Sequence, residues 1–387
     1  MPFALYLLGL AVFAQGTSEF MLSGLLPGIA RDMEVSLATA GGLTSAFAVG
    51  MVVGAPLMAV LGRRWPRRNA LLVFLTAFLL LHVLGAVTTS FGVLLATRFA
   101  GALANAGFLA VGLATATDLV RPDAKGRAAS VLLGGVTLAC VAGVPAGALL
   151  GRVWGWRSAF WAVALLSLPA LVAILRAVPA GAPGADGVRV RAELRVLRRP
   201  RLLFVLLLAA LVNGGTFCAF TYLASVLTGV TGYAPAWIPA LLALFGLGSF
   251  AGVTLGGRVA DTRPLPLLVG GGAALCAGWA LFALTAGDRA AALVLVPLQG
   301  TLAFAVGSTL ITRALYAAAG APALAGAFAT AALNTGAAAG PWAGGAALDA
   351  GLGERAPLWT AAVLVALALV TAALTPSRVR VPVRTGP

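Results

Sequence analysis

Charge is scarce in this sequence. Of 387 residues only 10% are Asp, Glu, Lys or Arg, against about 25% in soluble domains. With 61% hydrophobic residues, a soluble fold of this length would have too little polar surface, so a polytopic membrane protein is expected. Acids are scarcest of all, eleven against twenty-six Lys and Arg. Histidine occurs once, at His82, and the three cysteines, Cys140, Cys218 and Cys276, fall within apolar runs. That inventory excludes an ordinary catalytic metal site and a disulfide framework, and no metal or cofactor is expected. No Gly-x-x-x-x-Gly-Lys-Ser/Thr segment is present, which excludes the usual ATP-binding loop. Met1-Pro2 brings no basic leader, and a cleavable signal peptide is not expected.

The formal net charge of +15 invites a nucleic-acid reading, and its placement rejects one. The cations sit in short loops between apolar runs. Twelve such runs lie between about residues 4 and 375, each long enough for a membrane helix of about 20 residues. Helices are expected because a helix satisfies its own backbone hydrogen bonds in lipid. Twelve crossings put both termini on one side. Twenty of the twenty-six cations fall on that side, five on the other, and Arg98 lies within a run. The positive-inside rule then places the termini and the basic middle loop in the cytoplasm, and the Arg-, Ala- and Gly-rich composition suits a bacterial inner membrane. Segment 178–201, rich in Pro, Gly and Arg, separates a six-helix half at 1–177 from another at 202–387. Weak echoes at an offset near 200 relate the halves: Gly16-Thr17 with Gly215-Thr216, Gly62-Arg63 with Gly257-Arg258, and Val144-Pro145-Ala146 with Gly340-Pro341-Trp342. The expected fold is all-α, twelve transmembrane helices in two pseudo-symmetric six-helix halves, an architecture that puts a substrate site near the midplane.

Against this background one acid stands out. Glu19, in Gly16-Thr17-Ser18-Glu19-Phe20, lies deep in the first run, where a charge costs roughly 2.5 kcal/mol or more and such residues face a bundle interior. Among the cations only Arg98 is comparably deep. Glu19 lies roughly 22 Å from the inner end of its helix and Arg98 roughly 10 Å below the outer face, close enough in depth for a pair. Burial disfavours the carboxylate and a nearby Arg favours it, so a change in either term would make Glu19 bind or release a proton. The alternative is a static pair holding two helices. Gln15 shares the Glu19 face at i−4, Asn105 follows Arg98 by two turns, and Asn213, Phe217 and Phe220 form a stripe on the seventh run. Such groups suit a mostly apolar cavity for a neutral amphipathic ligand, or ordinary interhelical packing. For His82, packing is favoured over a proton relay.

The loop Gly62-Arg63-Arg64-Trp65-Pro66-Arg67-Arg68-Asn69 and its later counterpart Gly257-Arg258-Val259-Ala260-Asp261 resemble the cytoplasmic signature of the major facilitator superfamily, with Gly62 where Asp is usual and Pro66 in place of a glycine. The segment Arg98 to Gly107 resembles that family's Arg-bearing fourth-helix motif, linked there to proton transfer. Gly143, Pro145 and Gly147 resemble the fifth-helix antiporter motif, with Val144 inserted between the glycine and the proline. Gly155-Trp156-Arg157 is a further familiar element. The opening 16–27, the segment 105–111 and the segment 307–313 narrow the likeness to drug:proton antiporters similar to actinomycete chloramphenicol-resistance exporters. The resemblance implies proton-coupled drug efflux by alternating access, with Glu19 and Arg98 in coupling. Gln15, Glu19, Asn105, Asn213, Phe217 and Phe220 would bind the drug, and Arg63, Arg64, Gly143, Pro145, Gly147 and Asp261 would serve conformational change. The expected partners are a small-molecule drug, protons and the lipid bilayer, with no nucleic acid and the chain acting as a monomer. The rival readings are a proton-linked sugar or metabolite exporter on the same scaffold and, in a different class, an intramembrane enzyme or receptor.

Overall fold

The computed structural model describes residues 3–61, 65–121, 125–178, 193–259, 264–321 and 324–375, and among these there is no β-strand. The first crossing is α1 (Phe3–Phe20) and α2 (Leu22–Asp32), divided at Met21. Then come α3 (Leu37–Leu61), α4 (Arg67–Val87) and α5 (Phe91–Asp118). The fifth crossing is α6 (Lys125–Leu138), a π-helical turn (Ala139–Gly143) and α7 (Val144–Trp154), and the sixth is α8 (Arg157–Ala177). The expected linker 178–201 contains a short 3₁₀ helix at Arg195–Arg198 and the first residues of α9 (Pro200–Gly229); residues 179–192 lie outside the described set. α10 (Ile238–Val259) follows. After the helical turn Pro264–Pro266 and a second π turn (Leu267–Gly271) come α11 (Gly272–Thr285), α12 (Arg289–Ala317), α13 (Ala325–Asp349) and α14 (Ala356–Leu374).

Among the described residues, eleven helical segments are both long and apolar enough to cross a membrane. The twelfth expected crossing, α13, has the length, at 25 residues, but Asn334, Thr330, Thr335, Pro341, Trp342 and its many glycines lower its hydropathy. Packing explains how it is tolerated, because α13 lies between α3 and α9 and meets protein on both sides. Its contact with α9 is backbone on backbone: a Cβ at Gly340 would fall 2.0 Å from the Gly214 carbonyl oxygen. Small residues that let helices approach closely are a main source of association in lipid.

The fifth crossing widens into its π turn for a local reason. Pro145 has no N–H to give the carbonyl four residues back, and the Val144 N–H instead reaches the Ala139 carbonyl. The displaced backbone is covered by protein, packing against α1 and α10.

The buried apolar side chains form separate clusters, a large one drawn mainly from residues 196–368 and three smaller ones drawn mainly from the first 180 residues. Contacts between the first six crossings and the last six run chiefly through α3 with α13, α2 with α9, and the π turn and α7 with α10. Two hydrogen bonds join them near the end carrying the α2–α3 connection. Ser23 Oγ donates to the Phe220 carbonyl, and Ser45 Oγ donates to the Ala338 carbonyl at 2.7 Å. Nearby, within the last six crossings, Tyr222 donates to the Pro341 carbonyl at 2.9 Å.

At this same end the Gly155-Trp156-Arg157 element fastens three connections together. Trp156 Nε1 donates to Asp32 Oδ2 at 3.0 Å, Arg157 pairs with the same oxygen, and Arg157 also donates to the Thr88 carbonyl at 3.1 Å. The Arg157 guanidinium and then the Trp156 indole hold the Asp32 carboxyl below its ordinary value of 3.8. A depressed carboxyl contributes stability above its unfolded value and loses it as pH falls through the folded one. The pair is part-exposed, so its worth is at most about 1 kcal/mol. We expect thermal unfolding in detergent to show Asp32→Asn slightly less stable than wild type at pH 7, with the difference shrinking on acidification below about pH 3.8.

Candidate functional site

The site is built where α1 meets the π turn. A Cβ at Gly16 would fall 2.9 Å from Ala139 Cβ, and one at Gly143 would fall 2.1 Å from Thr17 Oγ1. These glycines let the first and fifth crossings touch. Successive residues on a helix point about 100° apart, so Ser18 and Glu19 face different surroundings.

Glu19 faces a cavity of about 280 Å³, whose walls include Asn213 and Phe217 of α9, Ser249 of α10, Ser308 of α12 and Asn334 of α13. Glu19 is the only charged group among the described lining residues. Asn213 Nδ2 donates to the Leu333 carbonyl at 2.7 Å and Asn334 Nδ2 to the Thr330 carbonyl at 3.0 Å, which leaves their oxygens as acceptors. The cavity thus offers acceptors and apolar surface and no cation. It extends toward one end of the bundle only. Val253 and Ile311, which also line it, lie six residues before the last residues of α10 and α12, about 9 Å from that end. The opposite end carries the sealing contacts of Ser23, Ser45 and Tyr222. Between the two lies a layer of phenylalanines: Phe20 meets Phe217 with ring centroids 5.8 Å apart and Phe220 at 6.5 Å, Phe220 stacks on Phe245 at 4.8 Å, and Phe245 meets Phe304 at 6.4 Å.

Arg98 lies on the other side of α1. It is 2% exposed and donates from Nη1 to Ser18 Oγ at 2.7 Å and from Nη2 to the Ser18 carbonyl at 2.8 Å. Its guanidinium carbon stands 4.5 Å over the Phe47 ring. Ser18 Oγ is also 2.6 Å from His82 Nε2, and His82 Nδ1 is 2.7 Å from the Phe78 carbonyl.

The sequence profile of the Major Facilitator Superfamily matches residues 8–325. This chain belongs to that superfamily. It is 56% identical over 375 residues, covering 96% of each chain, to a chloramphenicol resistance protein of Streptomyces lividans. It is 33% identical over 320 residues, covering 80% of this chain and 77% of the relative, to a chloramphenicol efflux pump of Mycobacterium tuberculosis. Its fold matches, with a TM-score of 0.77, 18% identity and 98% coverage of each chain, the crystal structure of a bacterial homologue of the human lysosomal transporter Spinster in an inward-facing and occupied conformation. The chain is therefore a multi-pass membrane transporter rather than an enzyme.

Of the residues singled out from the sequence, Glu19, Asn213 and Phe217 line this transporter's cavity and Phe220 lies in the phenylalanine layer beneath it. Gln15 and Asn105 are not among the lining residues. Gln15 is buried with neither side-chain atom hydrogen-bonded. Asn105 faces α3, its Nδ2 3.5 Å from Met51 Sδ. Glu19 and Arg98 share a depth but form no ion pair, because Arg98 is held by Ser18. Gly143, Pro145 and Gly147 lie in and just beyond the π turn, against α1 and α2, whereas Arg63, Arg64 and Asp261 lie outside the described residues. Sequence reasoning missed Ser249, Ser308 and Asn334 in the walls and Ser18 as the partner of Arg98. Ser18 stood in plain view inside the Glu19 motif, and adjacency to Glu19 was its only signal.

Gly143→Val places a branched side chain on Thr17. We expect a loss of roughly 1–3 kcal/mol from overpacking, read as a lower unfolding temperature in detergent, with Thr17→Ala in the same chain recovering part of it.

Proposed function

We propose that this transporter exports chloramphenicol or a similar neutral amphipathic drug across the bacterial cytoplasmic membrane in exchange for protons, by alternating access. The observation that carries the reading is the lone carboxyl group of Glu19 in an otherwise uncharged cavity. The relatives from Streptomyces lividans and Mycobacterium tuberculosis, whose names concern chloramphenicol, supply the drug class. Aromatic walls with amide and hydroxyl acceptors suit a neutral ring-bearing molecule with hydroxyl and amide donors. At about 280 Å³ the cavity is near the lower size of drug sites.

In this reading both termini are cytoplasmic and residues 1–177 and 202–387 rock as two six-helix units joined by 178–201. The cavity end is then the cytoplasmic one, and the conformation is inward-facing. Drug enters beside Glu19 from the cytoplasm and Glu19 gives up its proton. After rocking, a proton from outside reloads Glu19 as the drug leaves. One proton crossing 100 mV supplies about 2.3 kcal/mol, enough for a drug gradient of roughly 50-fold without ATP. The chain acts as a monomer.

The test is chloramphenicol accumulation in cells carrying the wild-type chain or Glu19→Gln at matched membrane levels, with and without a protonophore. We expect low accumulation in wild type, raised several-fold by protonophore, and high accumulation in Glu19→Gln under both conditions. A wild type that never lowers accumulation rejects the drug. A mutant that still exports and still responds to protonophore rejects Glu19 as the coupling site.

A further inference from the structure

Behind Arg98 stands a buried chain of polar groups that drug export leaves unused. With the His82 imidazole neutral, its donors and acceptors admit one assignment. A guanidinium only donates, so Ser18 Oγ accepts from Arg98 Nη1 at 2.7 Å. The single Ser18 proton then points to His82 Nε2 at 2.6 Å, which must accept. The His82 proton is therefore on Nδ1, 2.7 Å from the Phe78 carbonyl, which can only accept. The chain closes with His82 neutral and every link filled. Its ring is walled by Phe78, with centroids 4.1 Å apart, and Phe160 at 5.8 Å.

This chain decides where a buried cation sits. Arg98 Nη2 donates to the carbonyl oxygen of Ser18, in the peptide group that joins Ser18 to Glu19. The Glu19 side chain leaves α1 about 100° away, into the cavity. Phe47 covers the guanidinium from α3. The guanidinium is thus close to Glu19 and turned from it. The titratable and charged groups around Glu19 among the described residues are Arg98 from α5, His82 from α4 behind Ser18, and Cys140 from the π turn. α9, α10, α12 and α13 present only uncharged side chains to the cavity.

We propose that Ser18 and His82 are positioning residues for proton coupling: they hold Arg98 away from Glu19 in this conformation, and undoing the chain lets the guanidinium swing to the carboxylate. The proposal rests on Glu19 being the proton carrier. His82→Gln keeps one acceptor and one donor at the spacing of the two ring nitrogens, and Ser18→Thr keeps the hydroxyl, whereas His82→Phe and Ser18→Ala break the chain.

Two measurements separate this proposal from the export reading. The first is phenylglyoxal labelling of the purified full chain, followed on the Arg98 peptide by mass spectrometry. Arg98 should be protected in wild type, His82→Gln and Ser18→Thr, and labelled several-fold faster in His82→Phe and Ser18→Ala. The second is the pH midpoint of proton-driven chloramphenicol uptake into inverted vesicles. It should move to lower pH by up to about 1 unit, the full effect of one neighbouring Arg less what the nearby guanidinium already exerts, in the two chain-breaking variants, and stay at the wild-type value in the two conservative ones. Combining the two breaking variants should add no further shift, since both act through one chain. Protected Arg98 in both breaking variants overturns the proposal, and so does faster labelling with an unmoved midpoint. A wild type with no Glu19-dependent midpoint rejects proton coupling, and the labelling still decides whether the chain holds Arg98. If His82→Phe fails to reach the membrane, Ser18→Ala against Ser18→Thr carries the same comparison.

Discussion

A backbone in lipid must satisfy its own hydrogen bonds, and the molecule is arranged around the few places where it departs from that demand. One lies at Pro145, where a missing donor widens the fifth crossing into a π turn. Such backbone is tolerated where protein covers it, and here α1 and α10 do so. The same turn brings Cys140 to the cavity and Gly143 against Thr17. One missing N–H therefore helps to fix both a wall of the cavity and the place where the two ends of the chain's first crossing meet the fifth.

Polar groups in this interior divide into two kinds. Some are consumed by the protein, as Arg98 is by Ser18. Others are left with capacity to spare, as Glu19, Asn213 and Asn334 are in the cavity. The division follows from helix rotation. Neighbouring residues on α1 serve opposite ends of this scale because about 100° separates them, one turned to α4 and α5 and the other to the last six crossings.

The helical class, the number of crossings and the depth of Glu19 and Arg98 were legible in the sequence because each depends on composition along a single run. α13 was legible by its length although its hydropathy falls short, since a 25-residue Gly- and Ala-rich stretch without charge until its last residue has few other fates. What could not be read was which neighbour each face meets. Gln15 shares a helical face with Glu19, yet it is buried and absent from the cavity walls. Asn105 shares a face with Arg98 and turns to α3 instead of the cavity. Ser249, Ser308 and Asn334 are single polar residues in apolar helices, and nothing local distinguishes a wall residue from a packed one. Depth is a property of one helix; exposure to a cavity is a property of six.

The phenylalanine layer between the cavity and the sealed end has an electrical consequence. Water and ions in a cavity carry its potential close to that of the solution it joins, while packed aromatic rings polarise little. The voltage across the membrane is then concentrated over the layer of Phe20, Phe217, Phe220, Phe245 and Phe304 and the sealed contacts beyond it, rather than spread over the whole bilayer. Glu19 stands at the edge of that insulating film, beside Phe20. A charge moved there by a small rocking of the helices crosses a large part of the field while travelling only a short distance.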